Sequence, residues 1–218
     1  MKIAILKITL LLNLLTFSQE KLEKSEFEII AEKTGDLDKD GIDEKVIVYE
    51  TNEKTNFGNT REIQILKNKS GEWIEWRKSR NAVLKSEEGG FWGDPFEGIE
   101  IKNGILKIHF FGGSNWKWSY TDKYRFQNNK FQLVGYSEVS FRNCYVWETN
   151  DFNLSTGKLI SKKEYEKCGE NDKEVYKREN ETFYKKGIKL TLQNRLKKEI
   201  KIVTPKYGRE IYIANGIE

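Results

Sequence analysis

The sequence predicts an all-β protein, with antiparallel strands in a meander or sandwich-like arrangement and little helix. Three observations carry that prediction. Runs rich in β-branched and aromatic residues recur at short spacing from Phe27 onward. Turn-forming residues separate them, above all Asn-Gly, Ser-Gly and Asn-Asn pairs. The alternation of apolar and polar residues follows the period of a pleated strand rather than that of a helix.

Residues 1–18 come first and read as a targeting segment. Lys2 and Lys7 supply a basic start, an apolar stretch runs from Ile8 to Phe17, and the small residues Thr16 and Ser18 precede Gln19. That is the layout of a signal peptide cut before Gln19. The apolar stretch is shorter than the ~20 residues that span a bilayer core, so no transmembrane segment is expected after cleavage. The expected product is one β-rich domain over 19–218, exported to the periplasm or secreted.

The elements follow in order. Residues 19–25 are polar, a short helix or a frayed end. Val46 to Tyr49 is a compact β-branched run. Ile63 to Leu66 and Trp73 to Trp76 flank a turn at Asn68-Lys69-Ser70-Gly71. Trp73 and Trp76 lie three apart, so at most one of them faces the core. Ile99 to Ile101 and Ile105 to Phe110 flank Lys102-Asn103-Gly104, the strongest hairpin signal in the chain. Trp116 to Tyr120 alternates, and Tyr124 to Phe126 and Phe131 to Val134 flank residues 127–130. Further strands are expected at 139–141, 144–147, 158–161, 182–184 and 188–192. Only Asn194 to Glu199 is weakly helical. The final portion, about 155–218, is dense in charges of both signs, which reads as a solvated face or a long exposed ribbon.

Composition narrows the function. The 38 basic and 34 acidic residues leave a formal charge of only +4, so nucleic acid is not an expected partner. A single His excludes a multi-histidine metal site within one chain. Cys144 and Cys168 are the only cysteines. In an oxidising compartment they have one intrachain pairing available, worth roughly 3 kcal/mol in the chain-entropy picture.

The most specific motif is an acidic loop, Gly35-Asp36-Leu37-Asp38-Lys39-Asp40-Gly41-Ile42-Asp43-Glu44. Three carboxylates at alternate positions can converge in a tight loop. Gly41 permits the turn, the carbonyl of Ile42 can add an oxygen, and Glu44 can close the shell. Hard oxygen ligands in a flexible loop suit Ca²⁺ better than Mg²⁺. The spacing departs from an EF-hand, whose bidentate Glu stands at loop position twelve; that position here is Ile47, and the loop leads into a strand.

This motif, followed by Lys45-Val46-Ile47-Val48, resembles the calcium loop of FG-GAP/VCBS-type repeats of integrin-like β-propellers. The resemblance covers about residues 30–50. It implies ion ligands at Asp36, Asp38, Asp40, Ile42 through its main chain, and Glu44, with calcium in a structural role. The motif occurs once, so one such loop in an exported bacterial β protein is the expectation rather than a propeller.

A second constellation is Gly89-Gly90-Phe91-Trp92-Gly93-Asp94-Pro95-Phe96-Glu97, with Phe111-Gly112-Gly113-Ser114-Asn115-Trp116 further on. Phe91, Trp92, Trp116 and Trp118 could stack on sugar rings or peptide side chains, with Asp94 and Glu97 orienting hydroxyls. The same residues could instead fill a β core, the glycines shaping bulges. Neither a nucleophile elbow nor a phosphate loop is present, and His109 sits in an apolar run. The expected function is therefore a monomeric, non-catalytic binding module of the bacterial envelope, its partner a glycan, a peptide or another envelope protein. The alternative is a carboxylate-dependent glycan hydrolase using Asp94 or Glu97.

Overall fold

The computed structural model describes residues 27–169, 172–197 and 200–214. The leader at 1–18 and the polar 19–25 segment lie outside the described residues. The described chain is all-β, in three antiparallel sheets with a sandwich-like arrangement. The first sheet takes β1 (Glu28–Gly35), β2 (Glu44–Thr55), β3 (Gly58–Lys69) and β4 (Glu72–Ser79) in chain order. The second has seven strands, again in unbroken order: β5 (Phe96–Lys102), β6 (Ile105–Gly113), β7 (Lys117–Gln127), β8 (Lys130–Arg142), β9 (Val146–Asn153), β10 (Lys158–Cys168) and β11 (Lys173–Tyr184). A third, two-stranded sheet pairs β12 (Ile200–Val203) with β13 (Glu210–Ala214).

Local chemistry sets the hairpins. Lys102 pairs with Ile105 across Asn103 and Gly104, whose φ values are 54° and 73°. Ser70-Gly71 and Asn128-Asn129 make the same kind of two-residue turn with both φ positive. Such turns match the right-handed twist of the flanking strands.

One core cluster runs through all three sheets. Val46 and Val48 on β2 and Ile63 and Ile65 on β3 meet Leu106, Ile108 and Phe110 on β6, with Phe131 and Leu133 on β8. Phe152 and Leu159 extend it along the seven-stranded sheet, and Ile202, Ile211 and Ile213 close it from the third. The i, i+2 spacing puts these side chains on one face of each strand. Trp76 packs against this core, against Phe126 and Phe131, whereas Trp73 is exposed. Buried within the core, Arg195 binds Asp122 through Nε at 2.7 Å and Nη2 at 3.0 Å.

Several expectations need correction. Residues 188–192 form no strand of the sheets. Instead Leu190 and Leu192 bond the backbone of Leu133 and Phe131, beyond the end of the β8–β9 pairing. The same segment also meets β4, where the Ser79 hydroxyl donates to Leu192 O at 2.6 Å. Asn194 to Lys197 is a turn rather than helix, and 198–199 lie outside the described residues. Asn194 closes that turn, its Oδ1 accepting from the Thr191 N–H at 2.7 Å. Cys144 and Tyr145 belong to the β8–β9 turn, and β9 begins at Val146. The strands β12 and β13 were not expected, although Ile200-Lys201-Ile202-Val203 and Ile211-Tyr212-Ile213 are short runs of strand-forming residues. The charged C-terminal portion includes the long β10–β11 ribbon, whose polar side chains are mostly exposed.

Candidate functional site

The acidic loop joins β1 to β2, and its own carboxylates hold its backbone. Asp36 Oδ1 accepts from the Lys39 N–H at 2.6 Å and Oδ2 from the Gly41 N–H at 3.1 Å. Asp40 Oδ1 accepts from the Ile42 N–H at 2.8 Å. Gly41 sits at φ 88°, a conformation that costs a side-chain-bearing residue strain. The Ile42 side chain is exposed. The Glu44 carboxylate is buried at the head of β2 and accepts from the Leu37 N–H at 2.8 Å, tying the loop shut.

Asp36, Asp38 and Asp40 each offer an oxygen within 4.8 Å of the others, so the three could hold a metal ion. They do not face empty space. Lys67, reaching from β3, hydrogen-bonds Asp38 and lies 3.2 Å from Asp40 and 3.4 Å from Glu44. Burial opposes the charge of this ammonium, yet its bonds to Asp38 and Asp40 outweigh that and raise its pKa. Asp40 is held below the usual carboxylate range, first by the Ile42 N–H and then by Lys67. Glu44 is pushed up by burial, against the pull of the Leu37 N–H. Lys67 carries no sequence signal as a partner of the loop, because it belongs to a different strand.

The glycine–aromatic cluster is a docking of backbone on backbone. The Gly113 N–H bonds Gly89 O at 2.9 Å, and the Phe91 N–H bonds Gly113 O at 3.0 Å. A Cβ on Gly112 would meet Trp118 Cζ2 at 2.5 Å and Gly89 Cα at 2.9 Å. The glycines thus serve close approach, and the loop they fasten holds two aromatics outward. Phe91 is 84% exposed and Trp92 52%. Trp92 also packs edge-on against Phe111, with ring centroids 5.7 Å apart. Trp116 is exposed and meets Tyr145 at 5.8 Å, whereas Trp118 turns inward against the core and stacks on Tyr120.

Cys144 and Cys168 form a disulfide, with Cα atoms 5.1 Å apart. It fastens the β10–β11 ribbon to the β8–β9 turn, and the Glu166 N–H bonds Tyr145 O at 2.9 Å beside it. The crosslink therefore helps to hold Tyr145, and with it the Trp116 contact.

Asp94 and Glu97 both line an open cleft of about 620 Å³ together with Trp92, His109 and Thr121. Their roles differ. Asp94 is clamped by Arg61, Nη1 to Oδ1 and Nη2 to Oδ2, both at 2.6 Å. Arg61 is itself buried and also binds Glu50 at 2.9 Å. Glu97 is exposed on β5. His109 is half-buried beside Thr121 at 3.0 Å, and burial lowers its pKa. Both Asp94 oxygens are thus engaged by Arg61, whereas Glu97 is the exposed carboxyl of the two.

Sequence reasoning missed a pocket on the inner face of the seven-stranded sheet. Trp118, Tyr120, Tyr136, Glu138, Glu148 and Asn150 contribute to its wall, and Arg195 and Tyr212 come in from the C-terminal segment. Of these positions, only 118 and 120 belong to an alternation read from the sequence. The assembly of the pocket depends on the register of three neighbouring strands and on the C-terminal segment that covers them. Among the described residues no helix is long and apolar enough to cross a membrane. Compared with protein-family models, curated proteins and solved structures, the chain matches none.

Proposed function

We propose that this chain is an exported binding module of the bacterial envelope, non-catalytic and steadied by Ca²⁺ in its β1–β2 loop. The observation that carries the reading is the set of large aromatics held outward on a stiff scaffold. Phe91 and Trp92 stand on a glycine-fastened loop, and Trp116 and Tyr145 stand beside a disulfide. Exposed rings of this kind serve as stacking surfaces for sugars or as anchors for peptides. The partner is a glycan, a peptide or another envelope protein, met by a monomer.

The disulfide fits an oxidising compartment, and residues 1–18 supply the signal for reaching it. The acidic loop supports calcium through its donor set of carboxylates and its likeness to FG-GAP/VCBS-type loops. The Arg61 clamp makes Asp94 part of the scaffold beside the aromatic cleft.

The test is co-sedimentation of the purified protein with insoluble cell-wall material, for the parent and for a Phe91→Ala/Trp92→Ala variant. The expected result is retention of the parent and loss of most of it in the variant, at an unchanged melting temperature. Equal retention of both would remove these aromatics from the binding surface.

A further inference from the structure

The inner-face pocket has an imbalance that points to its ligand. Its volume is about 470 Å³, within the range of small-molecule sites. Four glutamates line it: Glu88, Glu138, Glu148 and Glu210. Three have a lysine within 4 Å, namely Lys85 for Glu88, Lys163 for Glu148 and Lys201 for Glu210. Among the described residues Glu138 has no cation. Asn150 Nδ2 donates to it at 3.3 Å, and the Tyr136 hydroxyl also hydrogen-bonds it.

The same asparagine supplies a second sign. Asn150 is 5% exposed, and its Oδ1 has no hydrogen-bond partner among the described residues. A buried acceptor left unmade costs about 1–3 kcal/mol, so it is a place where a donor is wanted. The aromatic wall shows what kind of donor it accepts. The Arg195 guanidinium already lies 5.7 Å from the Tyr120 ring centroid and 5.6 Å from that of Tyr136. Trp118 stacks on Tyr120 at 5.7 Å and continues this surface. Arg195 makes its ion pair with Asp122 and acts on Glu138 only as a more distant charge.

We propose that this pocket binds an organic cation, an ammonium or guanidinium group, free or on a peptide side chain, with Glu138 as its counter-ion and Trp118 and Tyr120 as its aromatic wall. The group donates to Glu138 and to Asn150 Oδ1, and its alkyl stem lies on the rings. Attraction of a cation to aromatic faces strengthens as water is excluded.

The cation is coupled to a proton. Burial pushes the Glu138 carboxyl up to about 7, with Glu148 adding to the shift and Asn150 opposing it. The Tyr136 hydroxyl and the Arg195 charge also oppose the shift, and the other titratable groups lining the pocket are Tyr120, Glu88, Glu210 and Tyr212. Binding a cation at neutral pH therefore releases a proton from Glu138.

The test is calorimetric titration of the full chain with butylammonium, with agmatine and with a blocked Gly-Lys-Gly peptide, with methyl glucoside as the neutral comparator, at pH 6 and pH 8. The expected result is amine binding about tenfold tighter at pH 8, because a carboxyl titrating near 7 is mostly protonated at pH 6. Glu138→Gln is expected to lose at least tenfold in affinity and all of the pH dependence, while remaining folded at both pH values. Glu138→Asp is expected to retain the pH dependence. Preference for the peptide over butylammonium and agmatine assigns the cation to a protein side chain; the reverse assigns it to a small molecule. Absence of amine binding up to 10 mM, or methyl glucoside binding equal to that of the amines in parent and Glu138→Gln alike, overturns the proposal.

Discussion

The ammonium of Lys67, carried on β3, lies 3.4 Å from the buried carboxylate of Glu44, which closes the acidic loop at the head of β2. The loop therefore has an internal cation across its mouth. A divalent ion entering among Asp36, Asp38 and Asp40 competes with that lysine. Protein stability becomes a report on which cation holds the loop.

Calcium is expected to raise the melting temperature. For dissociation constants near 10⁻⁴–10⁻³ M, saturation at 10 mM stabilises by about 1.4–2.7 kcal/mol. In a chain of this size each kcal/mol moves the midpoint by roughly 2–4 °C. Thermal scans with calcium and with chelator check this in the parent and in Asp38→Ala. A shift in the parent that Asp38→Ala loses is the expected pattern. Equal scans in all four conditions would leave the loop as a lysine-neutralised turn.

Lys67→Met separates the two cations. Without calcium the variant is expected to be less stable than the parent, because the carboxylates lose their partner. Its calcium affinity is expected to rise roughly three- to fivefold, the equivalent of an ion-pair contribution of up to ~1 kcal/mol. Calcium titrations followed by calorimetry read both effects.

Asp122 and Arg195 form a buried pair whose halves depend on each other. Burial pushes the Asp122 carboxyl up, and Arg195 opposes that shift through charge and hydrogen bonds. Replacing Arg195 by Met strands a carboxylate in the core and is expected to cost about 3–5 kcal/mol. The double variant Asp122→Leu/Arg195→Met is expected to recover part of that loss. Urea midpoints of the three proteins decide, and a double variant no better than the single one would show that packing rather than charge dominates.

Glu138 gives stability a pH signature. Its folded-state pKa of about 7 stands above the ordinary value of 4.5, so the folded protein holds this proton more tightly than the unfolded chain. The contribution is full below about 4.5 and is lost progressively as pH rises to about 7. Glu138→Gln removes it. The stability of the variant relative to the parent is therefore expected to rise between pH 5 and pH 7.5, measured as urea midpoints. A pH-independent difference would place the carboxyl at an ordinary pKa.

Reducing the disulfide tests its share of the fold. The double variant Cys144→Ser/Cys168→Ser is expected to lose about 2–4 kcal/mol. The loss should appear first as faster hydrogen exchange in the β10–β11 ribbon and the β8–β9 turn. Unchanged exchange there would show that pairing alone holds the ribbon.

The hairpins were legible in the sequence because two-residue turns with positive φ demand Asn, Gly or Ser at fixed places, as at Asn103-Gly104 and Ser70-Gly71. The disulfide was legible because the chain has one pair of cysteines. The acidic loop was legible because its ligands are local. What stayed hidden depends on contacts distant in sequence. Lys67 meets the loop across a strand pairing, Arg195 finds Asp122 from the far end of the chain, and Arg61 clamps Asp94. Residues 188–192 read as a strand because their apolar alternation is real. Only the register of β8 shows that it serves a short edge contact. Trp118 shares a motif with Trp116, yet Trp116 lies in the bend before β7 and escapes the pleat that would put both on one face.

The unbroken strand order of the two large sheets has a consequence for synthesis. A polypeptide made from its N-terminus can add each new strand to the edge left by the one before, without waiting for distant sequence. The exception is the last stretch, which returns to lay Leu190 and Leu192 along β8 and Arg195 against Asp122. That stretch acts as a latch on a sheet already assembled. A nascent chain released before Arg195 would hold Asp122 without its counter-charge, so the core is completed only after Arg195 has been made.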